Sequence, residues 1–432
     1  MNEVTVVGAG LAGCEAAWQL AKQGIPVRLI EMKPERFSPA HKKADFAELV
    51  CSNSLKAEHL TNASGLLKAE MEKFGSMILD AARASRVPAG TALAVDRDRF
   101  SRLVTEAIES QPLIRVERGL AERLPDEPVV VATGPLTDPG LLDALKALPG
   151  LTALHFFDAA APIVTAESLD MEVLFRQSRN GAGDDYLNSP MDRAQYDAFH
   201  EALITAELAP LHDFEKDLVF EGCLAVEILA SRGHDTLAFG PMRPVGLTDP
   251  RTGKTPYAVV QLRQENEAGT LFNLVGFQTR LKWGEQKRVF SMIPGLENAE
   301  FVRYGVMHRN TYLNSPDILG RNFALRDRPL TRFAGQLTGV EGYVESAASG
   351  LMAGLNLGRA MRGLHEIDFG GETLLGALEK HVRTAVKNFQ PMNANFGILT
   401  PLDQRVRGKR SRYEAYAQRS LSTIDQLMED IR

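Results

Sequence analysis

The sequence contains little cysteine and no long apolar run. Its three cysteines, Cys14, Cys51 and Cys223, are odd in number and far apart, which argues against a disulfide framework and for a reducing compartment. No stretch approaches the roughly 18 consecutive apolar residues of a membrane span. The opening letters MNEVTVVGAG lead directly into a strand pattern, so we expect no signal peptide. Together these absences predict a cytoplasmic protein.

The sequence also lacks metal-ligand patterns, and its acidic residues outnumber its basic ones. No group of cysteine and histidine residues has metal-ligand spacing, so we expect no metal. The formal net charge is -6, whereas proteins devoted to nucleic acid are more often basic. Two local basic clusters occur, one around Trp283 in TRLKWGEQKR and one in DQRVRGKRSRYEAYAQR near the C-terminus. A solvated surface is the ordinary explanation of such a cluster when it is considered alone.

What the sequence does contain is a nucleotide-binding fingerprint at its start. In NEVTVVGAGLAGCEAAWQLAKQGIPVRLIEM, a strand precedes Gly8, Gly10 and Gly13, and a helix and second strand lead to Glu31. Gly10 lets the backbone approach a pyrophosphate, which then lies at the positive N-terminus of the helix. Glu31 is placed to accept hydrogen bonds from ribose hydroxyls. This order predicts a bound dinucleotide, with Cys14 packed on the apolar face of the helix.

Two later segments favour FAD over NAD as that dinucleotide. EPVVVATGP indicates a buried strand of the kind that closes on FAD in two-part flavoprotein folds, and RFAGQLTGVEGYVESAASGLMAGLNLGRAM indicates a strand, a glycine-rich turn and a helix. The N-terminus of that helix is suited to the pyrimidine edge of a flavin. No second Gly-x-Gly-x-x-Gly follows, so NAD(P)H would visit the flavin only transiently. The further cofactor-binding residues that we predict are Thr133, Gly134, Gly335, Gln336, Gly342 and Tyr343.

The predicted elements divide the chain into two units. Residues 1–154 and 306–432 have the pattern of an FAD-binding domain, which includes the helix-like segments DRDRFSRLVTEAIES and LIRVERGLAERLP. Residues 155–305 combine helix-like and strand-like segments in an inserted domain. We therefore predict an α/β fold: a Rossmann-like FAD-binding domain of the glutathione-reductase-like flavoprotein type, with an inserted α+β domain and a helical C-terminus.

Five segments carry a more specific pattern than the glycine fingerprint. They are GAGLAGCEAAWQLAKQGIPVRLIEM, LVCSNSLKAE, FEGCLAVEILASRG, GVMHRNTYLNSP and FAGQLTGVEGYVESAASG. Together they resemble the folate- and FAD-dependent tRNA (uracil-5-)-methyltransferase family, and the similarity covers essentially the whole chain. The resemblance implies methylation of the T-loop uridine at position 54 of tRNA to ribothymidine. It also implies methylenetetrahydrofolate as the carbon donor and FAD, reduced by NAD(P)H, as the source of electrons.

The resemblance further implies catalytic roles for Cys51 and Cys223. Uracil C5 becomes nucleophilic once a group adds at C6, and a thiolate is suited to that addition. A base must later remove the C5 proton, and a hydride from the flavin must reduce the methylene. Which cysteine adds to C6 stays open, and the two must meet across the domains. Without the resemblance, Cys51 in its polar loop before a helix is an even choice between packing and chemistry, and Cys223 fits an apolar core.

His308, Arg309 and Asn310 lie in a loop-like segment where the chain returns to the FAD-binding domain. An imidazole and a guanidinium there can stack on a pterin or flavin and bind a carboxylate or phosphate. Two other functions stay open: a flavin-dependent thiol–disulfide oxidoreductase and a non-catalytic, FAD-stabilised RNA-binding protein. The residues that we expect to contact substrate are His308, Arg309, Asn310, Arg405, Arg407, Lys409 and Arg410.

Overall fold

The computed structural model describes residues 3–181, 183–209, 224–384, 386 and 389–431 of the chain. The strands are β1 (Val4–Val7), β2 (Val27–Glu31), β3 (Ser54–Ala57), β4 (Arg86–Val87), β5 (Ala92–Val95), β6 (Ile114–Arg118), β7 (Val129–Val131), β8 (Ala153–Ala159), β9 (Ile163–Thr165), β10 (Phe175–Arg176), β11 (Tyr186–Met191), β12 (Ala258–Gln264), β13 (Leu271–Leu274), β14 (Phe301–Arg303), β15 (Met307–Leu313), β16 (Ala324–Leu325) and β17 (Arg328–Phe333). The α-helices are α1 (Leu11–Lys22), α2 (Ala63–Lys73), α3 (Met77–Ala84), α4 (Arg97–Glu109), α5 (Pro139–Lys146), α6 (Arg193–Ile204), α7 (Val226–Ser231), α8 (Thr236–Phe239), α9 (Trp283–Phe290), α10 (Ser315–Ile318), α11 (Tyr343–Met361), α12 (Leu374–Arg383) and α13 (Lys409–Asp430). Of the helices in these ranges, none has the length and apolarity that crossing a membrane requires.

A six-stranded sheet contains the nucleotide fingerprint. Its strand order is β16-β17-β7-β1-β2-β6, and every neighbouring pair is parallel except β16 and β17. All four residues of β1 are buried, as expected for a parallel strand that is covered on both faces. The chain passes from β1 to β2 on one side and later places β7 on the other, which leaves a crevice at the carboxyl ends of these strands. The predicted Rossmann-like fold is confirmed.

Helices α1 and α11 pack against each other with almost no side chain between their backbones. A Cβ atom at Gly350 would lie 2.1 Å from the carbonyl oxygen of Ala12, and one at Gly354 would lie 2.4 Å from that of Ala16. Real Cβ atoms do not approach other atoms so closely, so these positions require glycine. The four-residue spacing of Gly350, Gly354 and Gly358 therefore lets α11 pack closely against α1.

A second six-stranded sheet is entirely antiparallel. Its order is β10-β11-β12-β13-β9-β14, and it shares a separate hydrophobic core with α6, α7 and α9. The strands β8 and β15 pair with each other and are the connections by which the chain leaves and re-enters the first unit. The domain boundaries at 154/155 and 305/306 stay a prediction, which we keep as a proposal.

A segment that the sequence analysis assigned to a helix is a strand. The segment LIRVERGLAERLP was expected to be helix-like, but Ile114–Arg118 forms the edge strand β6, which pairs in parallel with β2. Ile114 and Val116 alternate with charged residues, which is a strand period, and pairing with β2 satisfies their backbone groups. The helical prediction for DRDRFSRLVTEAIES is confirmed as α4, with Asp96 as its N-cap.

A buried carboxylate ties the C-terminal helices to α2. Glu70 is fully buried; it accepts hydrogen bonds from the backbone N–H groups of Leu374 and Leu375, at 2.9 Å each, and from the hydroxyl of Ser420. Burial raises the pKa of Glu70 from 4.5 to about 7, although these hydrogen bonds act in the opposite direction. The folded protein therefore holds this proton in a pH range where the unfolded chain has released it.

We expect Glu70 to make stability fall as the pH rises between about 4.5 and 7. The pKa of Glu70 is higher in the folded protein than in the unfolded chain, so the native state binds more protons across this window. The free energy of unfolding should therefore decrease by up to about 3 kcal/mol by pH 8. Melting temperatures of the wild type and Glu70→Gln, which cannot titrate, should be compared from pH 5 to 8. The melting temperature of the wild type should fall relative to that of Glu70→Gln as the pH rises. A constant difference would contradict the prediction.

Candidate active site

A cleft lies at the carboxyl ends of β1, β2 and β7. The space within it and at its open mouth is about 1100 Å³. Its lining comes from six separate segments of the chain. The predicted cofactor-binding residues that line it are Gly8, Gly10, Glu31, Thr133, Gly134, Gly335, Gln336 and Tyr343. Gly13 and Gly342, which were also predicted, are not among the residues that line the cleft.

The glycine turn forms one end of the cleft. Gly8 has a φ of +95°, and a Cβ atom at Gly13 would lie 1.8 Å from the carbonyl oxygen of Gly8, so both positions require glycine for the turn itself. Gly10 differs, because a Cβ atom there would meet no heavy atom within 4 Å. Gly10 is also the N-cap of α1 and has no side chain to bond the first N–H groups. These donors and the open space at Gly10 fit a pyrophosphate.

Glu31 lies at the end of β2 beside this turn. Its Oε2 accepts the Ala9 N–H at 2.7 Å, and its Oε1 accepts the Lys33 N–H at 3.0 Å. The two backbone bonds fix the buried carboxylate in place, and each oxygen keeps a lone pair for a further donor. The arrangement fits the hydroxyls of an adenosine ribose, so the residues at this end of the cleft are compatible with FAD.

The N-terminus of α11 forms the other end of the cleft. Its N-cap, Gly342, has a φ of +118°, and a Cβ atom there would lie 2.3 Å from Oε2 of Glu345. Glu345 is fully buried, and its Oε1 accepts from Nζ of Lys56 at 2.8 Å and from the Ala394 N–H at 3.0 Å. Sequence reasoning missed this ion pair. Its signal was a glutamate three residues after the N-cap glycine, the position from which a side chain reaches back to a helix N-terminus.

Cys51 lies in the loop before β3, next to Val50 in the cleft wall. The side chain is half-buried, and Sγ lies 3.8 Å from the carbonyl oxygen of Ala159. The backbone N–H of Cys51 donates to the hydroxyl of Tyr343 at 2.8 Å. The loop is thus bonded directly to the first residue of α11. This contact joins two predicted site residues that are far apart in sequence.

The other two cysteines differ in what the structure describes. Cys14 is fully buried on α1, and burial raises the pKa of its thiol, so its predicted packing role agrees with its environment. Cys223 lies outside the described residues. Val226, three residues further along, donates its N–H to the carbonyl oxygen of Gln278 at 2.7 Å.

The segment with His308, Arg309 and Asn310 is a strand, and its assignment as a loop is wrong. All three residues belong to β15, which pairs in antiparallel register with β8. Partner strand β8 supplies the backbone groups that a loop would leave to solvent, and a single sequence does not reveal that pairing. Asn310 is buried, and the next residue, Thr311, donates its N–H to Pro135 in the cleft wall at 2.8 Å. The side chains of His308 and Arg309 lie outside the described ones.

The C-terminal basic cluster lies on a different surface from the cleft. Arg405 and Arg407 border a hollow of about 1010 Å³ that shares no residue with the cofactor cleft. Lys409 and Arg410 begin α13, and Arg410 pairs with Glu414 at 3.0 Å while remaining highly exposed. Of the described His, Cys, Asp and Glu residues, none form a group of three arranged to hold a metal ion.

The chain is similar to known proteins over most or all of its length. The family model described as Glucose inhibited division protein A matches residues 3–365. A protein of Desulforudis audaxviator, named methylenetetrahydrofolate–tRNA-(uracil-5-)-methyltransferase TrmFO, is 60% identical over 425 residues, which are 98% of this chain and 97% of that protein. A protein of the same name from Heliobacterium modesticaldum is 57% identical and covers 98% of each chain. The structure of Aquifex aeolicus GidA has a TM-score of 0.70 at 15% identity and covers 99% of this chain and 74% of that one, a likeness of fold alone.

Proposed function

Because the chain belongs to the methylenetetrahydrofolate–tRNA-(uracil-5-)-methyltransferase family, we propose that it converts uridine 54 in the T-loop of tRNA to ribothymidine, with NAD(P)H as the reductant. It is an enzyme of folate-dependent uracil C5 methylation that uses FAD as its cofactor and methylenetetrahydrofolate as its methyl donor. A cytoplasmic location follows from this substrate. The observation that supports the proposal best is the backbone bond between Cys51 and Tyr343, which holds a half-buried cysteine at the proposed flavin-facing end of a cleft that fits FAD.

We assign the cofactor contacts by position in the cleft. The N–H groups that follow Gly10 bind the pyrophosphate, and Glu31 accepts the ribose hydroxyls. The N-terminus of α11, at Tyr343, faces the ring end, where its positive dipole favours negative charge. When bound, FAD supplies the electrons that convert a methylene group into a methyl group.

The chain's own chemistry falls to its thiols. One cysteine adds to C6 of uracil, which makes C5 nucleophilic toward the folate-derived carbon, and the elimination of that cysteine follows removal of the C5 proton. We assign Cys51 and Cys223 to these steps and favour Cys223 slightly for addition at C6. The rival oxidoreductase function would instead require a disulfide between these two residues.

The proposal is tested by incubating the purified protein with unmodified tRNA, methylenetetrahydrofolate and NAD(P)H. We expect 5-methyluridine at position 54, and none when that uridine is replaced by cytidine. Omission of folate or of the nicotinamide should abolish the product. Fast NAD(P)H turnover with a disulfide substrate, without any need for folate or tRNA, would instead establish the oxidoreductase.

We predict that the C-terminal basic cluster helps to bind tRNA. Replacing Arg405, Arg407, Lys409 and Arg410 together should weaken binding and reduce the salt slope by about 1 for each phosphate that the protein no longer neutralises, since fewer counterions are released. Binding is measured between roughly 50 and 200 mM salt. A matched control removes four exposed basic residues from other surfaces: Arg102, Arg115, Lys146 and Arg193. An equal effect in the control, or none in the test variant, would show that the cluster is not the docking surface.

A further inference from the structure

Guanidinium groups donate hydrogen bonds to three consecutive carbonyl oxygens in residues 49–53, which we call the cysteine loop. Arg97 on α4 donates to the oxygens of Leu49, at 2.6 Å, and Cys51, at 2.8 Å, and Arg303 on β14 donates to the oxygen of Val50. With the N–H of Cys51 on the Tyr343 hydroxyl, both peptide groups of the cysteine are bonded. Side chains therefore bond the carbonyl oxygens of residues 49–51 and the N–H of Cys51.

The next two residues of the loop are bonded to the inserted sheet. Arg263 on β12 donates to the hydroxyl of Ser52 at 2.7 Å and to Oδ1 of Asn53 at 2.8 Å. The Asn53 amide in turn donates to the carbonyl oxygens of Val95, at 3.0 Å, and Gln264, at 2.9 Å. Asn53 is fully buried, so none of these bonds competes freely with water.

An ion pair across the seam between the two units fixes Arg97. Its Nε donates to Oε2 of Glu265 at 2.6 Å, and the carboxylate is only 3% exposed. Burial, and next the charge of Arg97, lower the pKa of the Arg303 guanidinium, whereas Tyr343 and Cys51 act in the opposite direction. The charged and titratable groups that face the loop therefore come from α4, α11, β14 and the end of β12.

The backbone on both sides of the loop is strained. Ala47 and Lys56 have φ values of +49° and +63°, and they are two of the four non-glycine residues with positive φ in the described part of the chain. Such conformations cost free energy and persist where the surrounding structure imposes them, which is most often at functional sites. A loop that needed only to connect its neighbours would relax.

We propose that Arg97, Arg263 and Arg303 are positioning residues that fix residues 49–53 between the two units and so present the Cys51 thiol, as a reactive thiolate, at the cofactor cleft. The inference deepens the proposed function and rests on it. It makes the inserted domain part of the Cys51 site and not only the carrier of Cys223. The planar guanidinium of Arg97 donates from three nitrogen atoms, in fixed directions, to two carbonyls and a carboxylate, whereas an ammonium donates from a single atom.

The test uses the FAD-loaded protein with Arg97→Lys, which keeps the charge and loses the fork. We expect the kcat of tRNA methylation to fall roughly 100-fold with little change in the KM for tRNA, because the thiol is misplaced. In a Cys223→Ser background, the pH midpoint of Cys51 alkylation by iodoacetamide should rise by about one unit. Cys14 is fully buried and does not interfere. FAD content and melting temperature should stay close to those of the parent.

Arg99→Lys is the matched control. Arg99 lies two residues further along α4 and forms an exposed ion pair with Glu267 at 2.6 Å across the same seam. The Arg99→Lys variant should have unchanged kcat and an unchanged alkylation profile. A loss of kcat equal to that of Arg97→Lys would overturn the proposal. If Arg97→Lys lowers stability, Arg263→Lys and Arg303→Lys provide the same test. The proposal would also be overturned if all three variants had the kcat and the alkylation profile of the parent protein. Absence of 5-methyluridine with the wild type would refute the proposed function, while the alkylation profiles would still decide the positioning role.

Discussion

Cys51→Ala is expected to lower the rate of tRNA methylation by about 10³-fold or more, within the range that a lost nucleophile or proton-transfer group costs. Folding and FAD content should be nearly unchanged, because the half-buried loop side chain is small and its removal leaves little cavity. The backbone bonds to Tyr343 and Arg97 do not depend on the thiol. The rate is measured as 5-methyluridine formed per enzyme, with absorbance of the flavin as the measure of loading.

A covalent trap separates the two cysteines. A T-loop RNA with 5-fluorouracil blocks the final proton removal, so a stable protein–RNA complex should accumulate on the wild type. Only the variant that lacks the C6 nucleophile should lose this complex, and we expect that variant to be Cys223→Ala. Cys14→Ala, in the core of α1, is the control for loss of a cysteine without chemistry. Substantial methylation by Cys51→Ala would show that the loop thiol is incidental.

Gly10→Val is expected to produce a folded protein without FAD. In the structure a Cβ atom at this position meets nothing within 4 Å, so the polypeptide has room for the new side chain. The pyrophosphate does not, because it must lie in that space against the first N–H groups of α1. The purified wild type should be yellow with noncovalent FAD and the variant colourless, at a similar content of secondary structure by circular dichroism.

Two other glycine substitutions serve as controls for Gly10→Val. Gly13→Ala should destabilise the fold itself, since its Cβ would lie 1.8 Å from the carbonyl oxygen of Gly8. Gly284→Ala, on α9 with nothing within 4 Å, should retain both fold and FAD. A yellow Gly10→Val protein would place the pyrophosphate elsewhere, and a colourless wild type that binds NAD but not FAD would rule out the cofactor assignment.

That Gly10, Glu31 and Tyr343 share one cleft was predictable, because each sits at a fixed offset in a local pattern. Gly10 and Glu31 follow from the strand–turn–helix–strand order, and Tyr343 follows from the glycine-rich turn before a helix. The structure brings these residues to one cleft. Local pattern is sufficient there because the backbone itself makes the binding surface.

The cysteine loop shows where that reasoning ends. Arg303 lies 253 positions from Val50, whose carbonyl oxygen it bonds, and Arg97 and Arg263 are also remote from the loop in sequence. Each of the three arginines stands in an element that is ordinary when considered alone. The strand at His308 and the edge strand at Ile114 were missed for a related reason, since strand pairing is a long-range contact. A single sequence encodes such contacts only through the complete fold.

The glycine contact between α1 and α11 fixes the distance between the N-termini of these two helices at the cleft. Helix α1 begins at the glycine turn of the cleft and α11 begins at its other end, and their backbones touch at Gly350 and Gly354. The gap between the two anion-favouring ends is consequently set by main-chain geometry, which no change of side-chain packing can adjust. In the binding mode that we propose, the pyrophosphate lies at one of these ends and the ring at the other. Their spacing is thus a property of the scaffold before any side chain contributes to recognition.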